Sequence, residues 1–561
     1  MAEGAASFSL IDRPWIPVLD VSGRYQRVSL AEVFAEAERI RCIAGDMPTQ
    51  TLALLRLLLA VLHRAVDGPA DLRTWHTLWR SPGLPIDDIN EYLGYFRDRF
   101  DLLHPETPFY QVANLRSRKD EISGLERLIA DVPAGDPYLT NRLGPGLEQL
   151  SPAEAAVWVV HCQAYDTAGI KTGAVGDPRV KAGKGYSIGP GFCGALGAVY
   201  LEGATLRETL LLNLISLNSP YVKQDPDADR PVWERPPQGP AEEDDKSRGP
   251  HGLLSLYTWQ SRRIRLVGDE DAITGVVLAQ GDKLDWENRH QQEPMTGWRR
   301  SKNKERAKGG LVYLPALHDP ARALWRGLTS LLPSKTAAMG KEGADVLPPA
   351  LSQWLAQLHT GRYIDSGYRV TTRAVGVVYG TQQAVVDQIY HDHLTMTVQA
   401  FDPDSALAKV IVDSVVDAEN AVTALRWLAV DLCRAAGGYG NQQGDPPIAA
   451  GARAAERGFA ALDALFRQWL GSLGPDTDPG AAHADWQIKA RARIAAIGAD
   501  LVAQAGPHAW VGRYLDSEKK FFINSSIADL KFRRALNRAL PLAAGSLVSP
   551  VVQSQPQEVP A

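Results

Sequence analysis

The hydrophobic pattern of the first 402 residues mixes strand and helix signals. Residues 8–18 predict a strand, the apolar run over 50–65 predicts a buried helix, and residues 198–201 predict a short strand. Helix starts are marked by a Ser or Thr followed three residues later by Glu, at Ser29, Ser151 and Thr205. The Ser29 helix is expected to run to about Arg39. We therefore expect a large mixed α/β domain over residues 1–402.

Beyond residue 402 the pattern becomes helical only. Four segments repeat apolar residues at helical spacing and are separated by Gly- and Pro-rich breaks, and they lie at 422–432, 459–469, 494–501 and 527–540. Four such stripes predict a four-helix bundle over residues 403–545, with 546–561 as a tail. The fold class expected for the whole chain is therefore α+β, with the mixed domain first and the bundle second.

Two stretches between residues 222 and 280 predict exposed structure. Residues 222–250 are Pro-rich, acidic and aperiodic, which is typical of an exposed loop. In the segment RRIRLV, Ile264 and Leu266 alternate with Arg263 and Arg265, which predicts a strand with one buried and one wet face.

Composition narrows the class of protein. The chain is 45% hydrophobic, 22% charged and 8% aromatic, as expected for a globular protein. No apolar run is long enough to span a membrane, and the first residues lack a basic signal-peptide start. The four cysteines form no CxxC pair, so neither a zinc ribbon nor a disulfide framework is expected. These features indicate a cytoplasmic protein with no membrane partner.

Charge is unevenly distributed along the chain. The net charge of −5 argues against general nucleic-acid binding, but acidic residues collect in 224–245 and basic residues in 299–308. The basic run, RRSKNKERAK, holds six Arg or Lys and one Glu.

A glycine-rich stretch, VKAGKGYSIGPGFCG at 180–194, has the composition of a phosphate-binding loop. It fails the Walker A spacing, because Pro178 stands at the required first Gly and Gly185 stands where Ser or Thr must follow the Lys. A GxGxxG match at Gly189, Gly191 and Gly194 leads into a strand, whereas a dinucleotide fingerprint leads into a helix. The residues alone leave two interpretations open: a backbone that approaches a DNA groove closely, or an exposed flexible loop.

Other catalytic patterns are incomplete. The HD pairs at His318-Asp319 and His391-Asp392 lack metal-ligand spacing, and the chain holds neither GxSxG nor HExxH. We therefore expect no catalytic residues and no metal or other cofactor.

Several strings in order resemble the large subunit of the type I-E CRISPR surveillance complex Cascade, the CasA family. They are FSLIDRPWIPVL (8–19), SLAEVF to LLRLLLAVLHRA (29–65), RDRFDLLHPETPFYQV (97–112), LYTWQSRRIRLV (256–267) and EPMTGWRRS (293–301). The resemblance implies a non-catalytic subunit that reads the short PAM in double-stranded target DNA from the minor groove. It also implies partnership with guide RNA and other Cascade subunits, which read the target by base pairing, and recruitment of a helicase-nuclease.

The resemblance also implies roles for particular residues. The PAM-reading glycine loop falls on Gly183, Lys184 and Gly185, and the wedge that starts strand separation on Gln382, Gln383 and Ala384, with Gln383 the better match. A lysine finger is matched to Lys283, although the family position falls two to four residues earlier, at Ala279 to Gly281. A loop contacting guide RNA and a neighbouring subunit falls on Leu139, Thr140 and Asn141.

Basic residues add an electrostatic expectation. Arg299, Arg300, Lys302, Lys304, Arg306 and Lys308 are candidates for a phosphate track, and Lys531, Arg533, Arg534 and Arg538 are weaker candidates of the same kind. The same run fits a merely solvated face. Two other classes of function stay open on sequence: a nucleotide-dependent enzyme using the glycine-rich loop, and a purely structural scaffold subunit.

Overall fold

The computed structural model describes residues 6–130, 148–243, 249–334, 344–438, 445–516, 518 and 520–544. The chain divides into two compact units: Met1–Leu324 with Ser330–Leu394, and Trp325–Thr329 with Thr395–Ala561. The sequence places its domain boundary slightly later, after residue 402. Within the described ranges, no helix combines the length and apolar character needed to cross a membrane.

The first unit mixes helices and strands, as the sequence predicts. Its helices are α1 (Leu30–Ala35), α2 (Pro48–Ala65), α3 (Leu72–Arg80), α4 (Ile86–Tyr95), α5 (Pro152–Tyr165), α6 (Leu206–Leu212), α7 (Leu253–Tyr257), α8 (Lys302–Lys308) and α10 (Ala350–Thr360), and the short α9 (Leu328–Leu331) includes a division point between the units.

Its strands form small antiparallel sheets. They are β1 (Ile16–Asp20), β2 (Tyr25–Val28), β3 (Ile40–Ile43), β4 (Lys171–Thr172), β5 (Lys184–Gly185), β6 (Ala198–Glu202), β7 (Arg262–Gly268), β8 (Ile273–Gln280), β9 (Trp298–Arg300), β10 (Tyr313–Pro315), β11 (Val346–Leu347), β12 (Arg369–Tyr379) and β13 (Val386–Thr397). The strand orders are β2-β1-β3, β10-β9-β11, β13-β12-β6, β4-β5 and β7-β8.

The predicted helix starts are confirmed. Ser29 and Glu32 form a reciprocal capping box, in which the Ser29 amide donates to Glu32 Oε2 (2.7 Å) and the Glu32 amide to Ser29 Oγ (3.2 Å). Ser151 and Thr205 cap α5 and α6 through a single bond each, accepting from the amide three residues on. Helix α1 ends at Ala35, earlier than predicted, because the chain turns into β3 at Ile40.

The strand predicted over residues 8–18 is only partly present. Strand β1 begins at Ile16, while the Arg13 amide donates to the Ser9 carbonyl (2.9 Å) and closes a turn. Ser9 itself forms only an isolated bridge with Asp101. The prediction was wrong for residues 8–15, because the apolar residues here belong to a turn and pack into the core from it.

The predicted wet face of β7 is wrong at Arg263, whereas Arg265 is half-buried. Arg263 is fully buried and its guanidinium pairs with Asp282 (Nη2–Oδ1, 2.8 Å) while donating to the carbonyls of Gly239 and Ala241. These two carbonyls belong to the stretch that the sequence presents as an exposed loop. Of its described residues, 222–243 and 249–250, those at 225–228 and 236–237 are exposed as predicted, whereas the segment around Trp233 is buried and the carbonyls of Gly239 and Ala241 are held by the buried Arg263.

Two acidic residues of the same stretch, Glu234 and Asp229, are also bonded to other parts of the unit. Glu234 pairs with Arg64 (2.6 Å) and accepts from the Tyr92 hydroxyl (2.7 Å), and Trp233 is buried beside them. Asp229 accepts the main-chain amides of Leu254 and Ser255, each at 2.8 Å. The composition suggests that these acidic residues are solvated, but the structure pairs them with other groups of the protein.

The second unit contains the four predicted helices at greater length. They are α11 (Ala406–Ala436), α12 (Pro446–Ser472), α13 (Pro479–Ala503) and α15 (Ser525–Ala539), with short α14 (Gly506–Val511), α16 (Pro541–Ala544) and the hairpin β14 (Arg513–Tyr514)–β15 (Phe522–Ile523). Trp469 and Trp486 pack against Phe466, with ring centroids 5.4 and 5.0 Å away. The apolar stripes of the sequence therefore meet in an aromatic core, and the predicted fold class is confirmed.

Candidate nucleic-acid interface

The glycine-rich stretch forms a hairpin, here called the glycine hairpin (residues 180–185). Lys181 and Lys184 exchange main-chain hydrogen bonds at 3.1 and 3.0 Å around a two-residue tip, Ala182-Gly183. Both tip residues have positive φ, 50° and 75°, which is the backbone of a tight type I′ turn. No heavy atom lies within 4 Å of where a Gly183 Cβ would stand. The tip therefore presents bare backbone outward.

The two predicted glycines of this loop differ in environment. Gly183 lies at the open tip, but Gly185 is buried, and a Cβ there would lie 3.3 Å from Gln280 Cγ. The expectation that Gly185 supplies exposed backbone is therefore wrong. Its small size serves packing inside the protein, while the exposed Lys184 side chain remains available at the surface.

The GxGxxG match has local structural reasons. A Cβ on Gly191 would lie 2.5 Å from the main chain of Ala164 and Tyr165, and one on Gly194 would lie 2.4 Å from the Tyr379 hydroxyl. Gly189 adopts φ 107°. Two of these glycines are thus explained by close packing and the third by its backbone conformation, and the segment runs on into β6 as the sequence predicts.

The predicted wedge is the tip of the long hairpin β12–β13, here called the wedge tip (residues 380–385). The Gly380 amide donates to the Val385 carbonyl (3.0 Å), and the Gln383 amide to the Gly380 carbonyl (2.9 Å). Gln382 and Gln383 have φ of 55° and 58° and expose their side chains. Two consecutive left-handed residues make a sharp tip that projects polar side chains into solvent.

One segment, residues 166–172, contacts both the glycine hairpin and the wedge tip, and we call it the linking segment. Its Lys171-Thr172 pair forms β4 against β5 of the glycine hairpin, and its Ala168 amide donates to the Gln383 carbonyl (2.8 Å). Gln280 joins from β8, donating through Nε2 to the carbonyls of Gly169 (2.8 Å) and Gly185 (3.3 Å). The structure thus brings together two loops almost 200 positions apart.

The linking segment is anchored by charge. Asp166 pairs with Lys171 (Nζ–Oδ2, 2.7 Å) and with Nε of Arg262, while Arg262 Nη2 donates to the carbonyls of Thr167 (3.0 Å) and Gly189 (2.9 Å). Burial works to raise the pKa of Asp166, but the two cations outweigh it and hold that pKa below its usual value. The carboxylate therefore stays ionised and fixes the segment.

The predicted lysine finger lies next to this assembly. Lys283 is exposed, and its main-chain amide donates to Glu242 Oε1 (3.0 Å). The family position matched by alignment, Ala279 to Gly281, is buried at the end of β8. Lys283 is accordingly the first exposed residue beyond that strand.

Sequence reasoning missed Arg179 and Gln280. The Arg179 guanidinium pairs with Asp177 (3.0 Å) and Glu242 (3.0 Å) and donates to the carbonyls of Gly281 (3.0 Å) and Gln280 (3.3 Å). It thereby ties the base of the glycine hairpin to the strand end that precedes Lys283. The sequence does show Gln280 as a polar residue at the end of an apolar strand. Its hydrogen-bond partners could not be predicted, because they are distant in sequence.

The predicted phosphate track is largely paired with acids. Arg300 bonds Glu305 (2.7 Å), Lys302 lies 3.5 Å from Asp345, and Lys304 (2.6 Å) and Lys308 both bond Glu287. Among the residues that the structure describes, Arg299 and Arg306 have no acidic partner, and both are exposed. These two are the cations of the run best placed to meet phosphate.

The remaining predicted residues are placed as follows. Lys531 pairs with Asp431 (3.2 Å) and Arg533 with Asp529 (2.8 Å), whereas Arg534 and Arg538 are exposed. Leu139, Thr140 and Asn141 lie outside the described residues.

Metal-binding patterns are not assembled in the described part of the chain, where no group of three or more His, Cys, Asp or Glu could hold an ion. His318 stacks on Tyr390 (4.7 Å between centroids) and bonds the Ala198 carbonyl (3.0 Å).

Comparison with known proteins identifies the family of this chain. The family model described as CRISPR-associated protein Cse1 matches residues 9–497. The chain belongs to the Cse1 family. The CasA/Cse1 protein of Thermus thermophilus is 32% identical over 392 residues, which cover 68% of this chain and 69% of that protein.

Solved Cse1-family structures share the fold. The crystal structure of Thermobifida fusca Cse1 matches with a TM-score of 0.87 and 46% identity, covering 97% of this chain and all of that one. A chain from a CRISPR RNA-guided surveillance complex has the same fold at 19% identity, with a TM-score of 0.62 and coverage of 96% and 99%. The resemblance inferred from the sequence strings is thus confirmed.

Proposed function

We propose that this chain is the non-catalytic subunit of a type I-E Cascade complex that recognises the PAM in duplex DNA and starts strand separation. Membership of the Cse1 family supports the Cascade setting. The observation that carries the DNA-reading part is the linking segment, which pairs with the strand of the glycine hairpin and hydrogen-bonds the wedge tip.

The glycine hairpin has the properties needed to read a minor groove. The groove is about 6 Å wide, so an element without side chains can reach its floor where a bulkier one cannot. Gly183 supplies that slim tip, and the adjacent exposed Lys184 would contact phosphate. The groove presents few sequence-specific groups, which suits recognition of a short motif.

The wedge tip would act next. With the PAM held by the glycine hairpin, Gln383 would enter beneath the adjoining base pair and bond the exposed base edges. Guide RNA then pairs with the target strand and makes the opening permanent. By the family resemblance, Leu139, Thr140 and Asn141 contact the guide RNA and a neighbouring subunit, Lys283 assists at the PAM, and the helicase-nuclease is recruited afterwards.

The test uses the assembled complex with its guide RNA. Gly183→Asp should weaken binding of PAM-containing duplex, whereas a complex lacking the chain should lose PAM preference altogether. Unchanged affinity and preference in a mobility-shift assay for Gly183→Asp would refute the loop's role. Retained PAM preference without the chain would favour a scaffold function.

The wedge needs its own measurement. Gln383→Ala should leave PAM binding intact and slow strand opening, which permanganate detects as reactivity of unpaired thymines. Thr381→Ala, at the same tip, is the matched control. Normal opening rates in Gln383→Ala would rule out the wedge.

A further inference from the structure

The side chain of Gln280 bonds the glycine hairpin and the linking segment at once. Gln280 is the last residue of β8 and is only 2% exposed. Its Nε2 donates to the carbonyl of Gly169 in the linking segment (2.8 Å) and to the carbonyl of Gly185 in the glycine hairpin (3.3 Å). One buried amide group is therefore shared by two pieces of chain that meet at the candidate DNA interface.

The glycine hairpin needs such support because the sheet it belongs to is small. Strands β4 and β5 pair over two residues each, Lys171-Thr172 with Lys184-Gly185. Beyond this pairing, the Gly173 amide donates to the Gly183 carbonyl (3.1 Å). A two-stranded ribbon is marginally stable by itself in water. The position of the hairpin relative to the rest of the unit must therefore depend on groups outside the ribbon.

The end of β8 supplies such groups at both ends of the hairpin. Arg179, which directly precedes the hairpin, donates to the main-chain carbonyls of Gln280 (3.3 Å) and Gly281 (3.0 Å), and its guanidinium is held by Asp177 (3.0 Å). At the other end, Gly185 packs on the Gln280 side chain, because a Cβ there would lie 3.3 Å from Gln280 Cγ. Gln280 thus takes part in both attachments, through its main chain at one end and its side chain at the other.

We propose that Gln280 is a positioning residue for PAM recognition, whose amide fixes the glycine hairpin against the linking segment and so sets where the Gly183 tip meets the DNA. This inference rests on the proposed function. Gln280 is too buried to touch DNA, so it acts through the hairpin. An apolar side chain of the same length would leave the carbonyls of Gly169 and Gly185 without this donor, which is unfavourable in a buried place, and the hairpin would shift to regain partners.

The experiment uses the assembled complex with its guide RNA and compares binding of duplexes with and without a PAM. Gln280→Met removes the donor and should weaken binding of the PAM duplex about tenfold, as the loss of a buried hydrogen bond does, with binding of the PAM-less duplex unchanged. Gln280→Asn keeps the amide but is too short to reach both carbonyls; it should show the same loss, and it serves if Gln280→Met does not assemble. Gln50→Met is the matched control, since Gln50 is a buried glutamine of the same unit that accepts from the Asp46 amide (2.8 Å).

A double variant separates positioning from a general loss of stability. If Gln280 acts through the hairpin, Gln280→Met should cost little further affinity once Gly183→Asp has already impaired the tip. Fully additive losses, an equal loss for the PAM-less duplex, or an equal loss in Gln50→Met would overturn the inference. Gly183→Asp alone tells the two proposals apart. If it weakens PAM binding while Gln280→Met does not, only this inference fails; if it leaves PAM binding unchanged, the proposed function fails and this inference fails with it.

Discussion

The Ala168 amide donates a hydrogen bond of 2.8 Å to the carbonyl of Gln383, and this bond joins the linking segment to the wedge tip. Three residues later the same segment pairs with the glycine hairpin. A short, hydrogen-bonded piece of backbone therefore joins the wedge tip to the glycine hairpin. Under the proposed function, this arrangement would connect PAM contact at the glycine hairpin with insertion of the wedge.

Removing the Ala168 donor should uncouple the two tips. Ala168→Pro lacks the amide hydrogen, so the wedge tip loses this anchor, and we expect slower strand opening with PAM affinity little changed. Ala168→Gly keeps the donor and is the control. Mobility shifts measure the first step and permanganate the second; equal opening rates in the two variants would contradict the coupling.

The two glycines of the hairpin should respond differently to the same substitution. Gly183→Asp places its side chain in open space and should impair DNA binding while leaving the fold intact. Gly185→Asp must displace Gln280, so it should also lower thermal stability. Gly183→Asp and the control Gly309→Asp share the strain of a side chain at positive φ, so thermal denaturation of all three variants would show whether Gly185→Asp loses more stability than these two.

The basic run should contribute unequally to the salt dependence of DNA binding. Arg299→Ala with Arg306→Ala should reduce the log–log slope by up to about 1.8, since each phosphate contact contributes about 0.9. Lys304→Ala with Lys308→Ala should change it less, because both lysines bond Glu287, and these bonds hold the pKa of that carboxyl below its usual value. Titration of binding against salt concentration distinguishes the pairs, and equal slopes would argue against this assignment.

The buried pair Arg56–Glu293 should dominate the stability of the first unit. Both side chains are 0% exposed, with Nη2–Oε2 at 2.7 Å and Nη1–Oε1 at 3.1 Å. Arg56→Met leaves a buried carboxylate unpaired and should cost about 3–5 kcal/mol of unfolding free energy. Arg56→Met combined with Glu293→Gln should recover part of that loss. Urea denaturation measures both, and an undiminished loss in the double variant would show that packing, not charge, is responsible.

Two buried histidines should make the first unit sensitive to acid. Burial lowers the pKa of His63 and of His161 to about 4. Above about pH 7.5 both imidazoles are neutral whether the chain is folded or unfolded, so they add no pH dependence there. Below it, the unfolded chain binds protons that the folded chain refuses, and stability falls towards pH 4 by about 3 kcal/mol for each histidine.

His161→Gln tests this acid sensitivity. The variant should show a shallower loss of unfolding free energy between pH 6.5 and 4 than the wild type, and His508→Gln, at an exposed position, serves as the control. Urea denaturation followed by tryptophan fluorescence at each pH would reveal the difference. Parallel pH profiles for wild type and His161→Gln would contradict it.

Local features of this protein were predictable from its sequence. The capping box at Ser29 and the N-cap at Ser151 depend on residues three positions apart, and the four apolar stripes of the second unit need only the helical period. The sequence also showed that the glycine-rich stretch lacks the Walker A spacing. Hydrogen bonds and periodicities of this kind depend on residues that are close together in sequence. They can therefore be predicted from the sequence alone.

Tertiary structure decided the rest. Gly185 looked exposed but packs on Gln280, and Arg263 looked solvated but pairs with Asp282 inside the unit. The contact between Ala168 and Gln383 has no local signature, because a main-chain amide carries no side-chain information about its partner. Burial and pairing depend on which distant segments meet, and that is set by the packing of the whole unit, which brings the glycine hairpin and the wedge tip to one place.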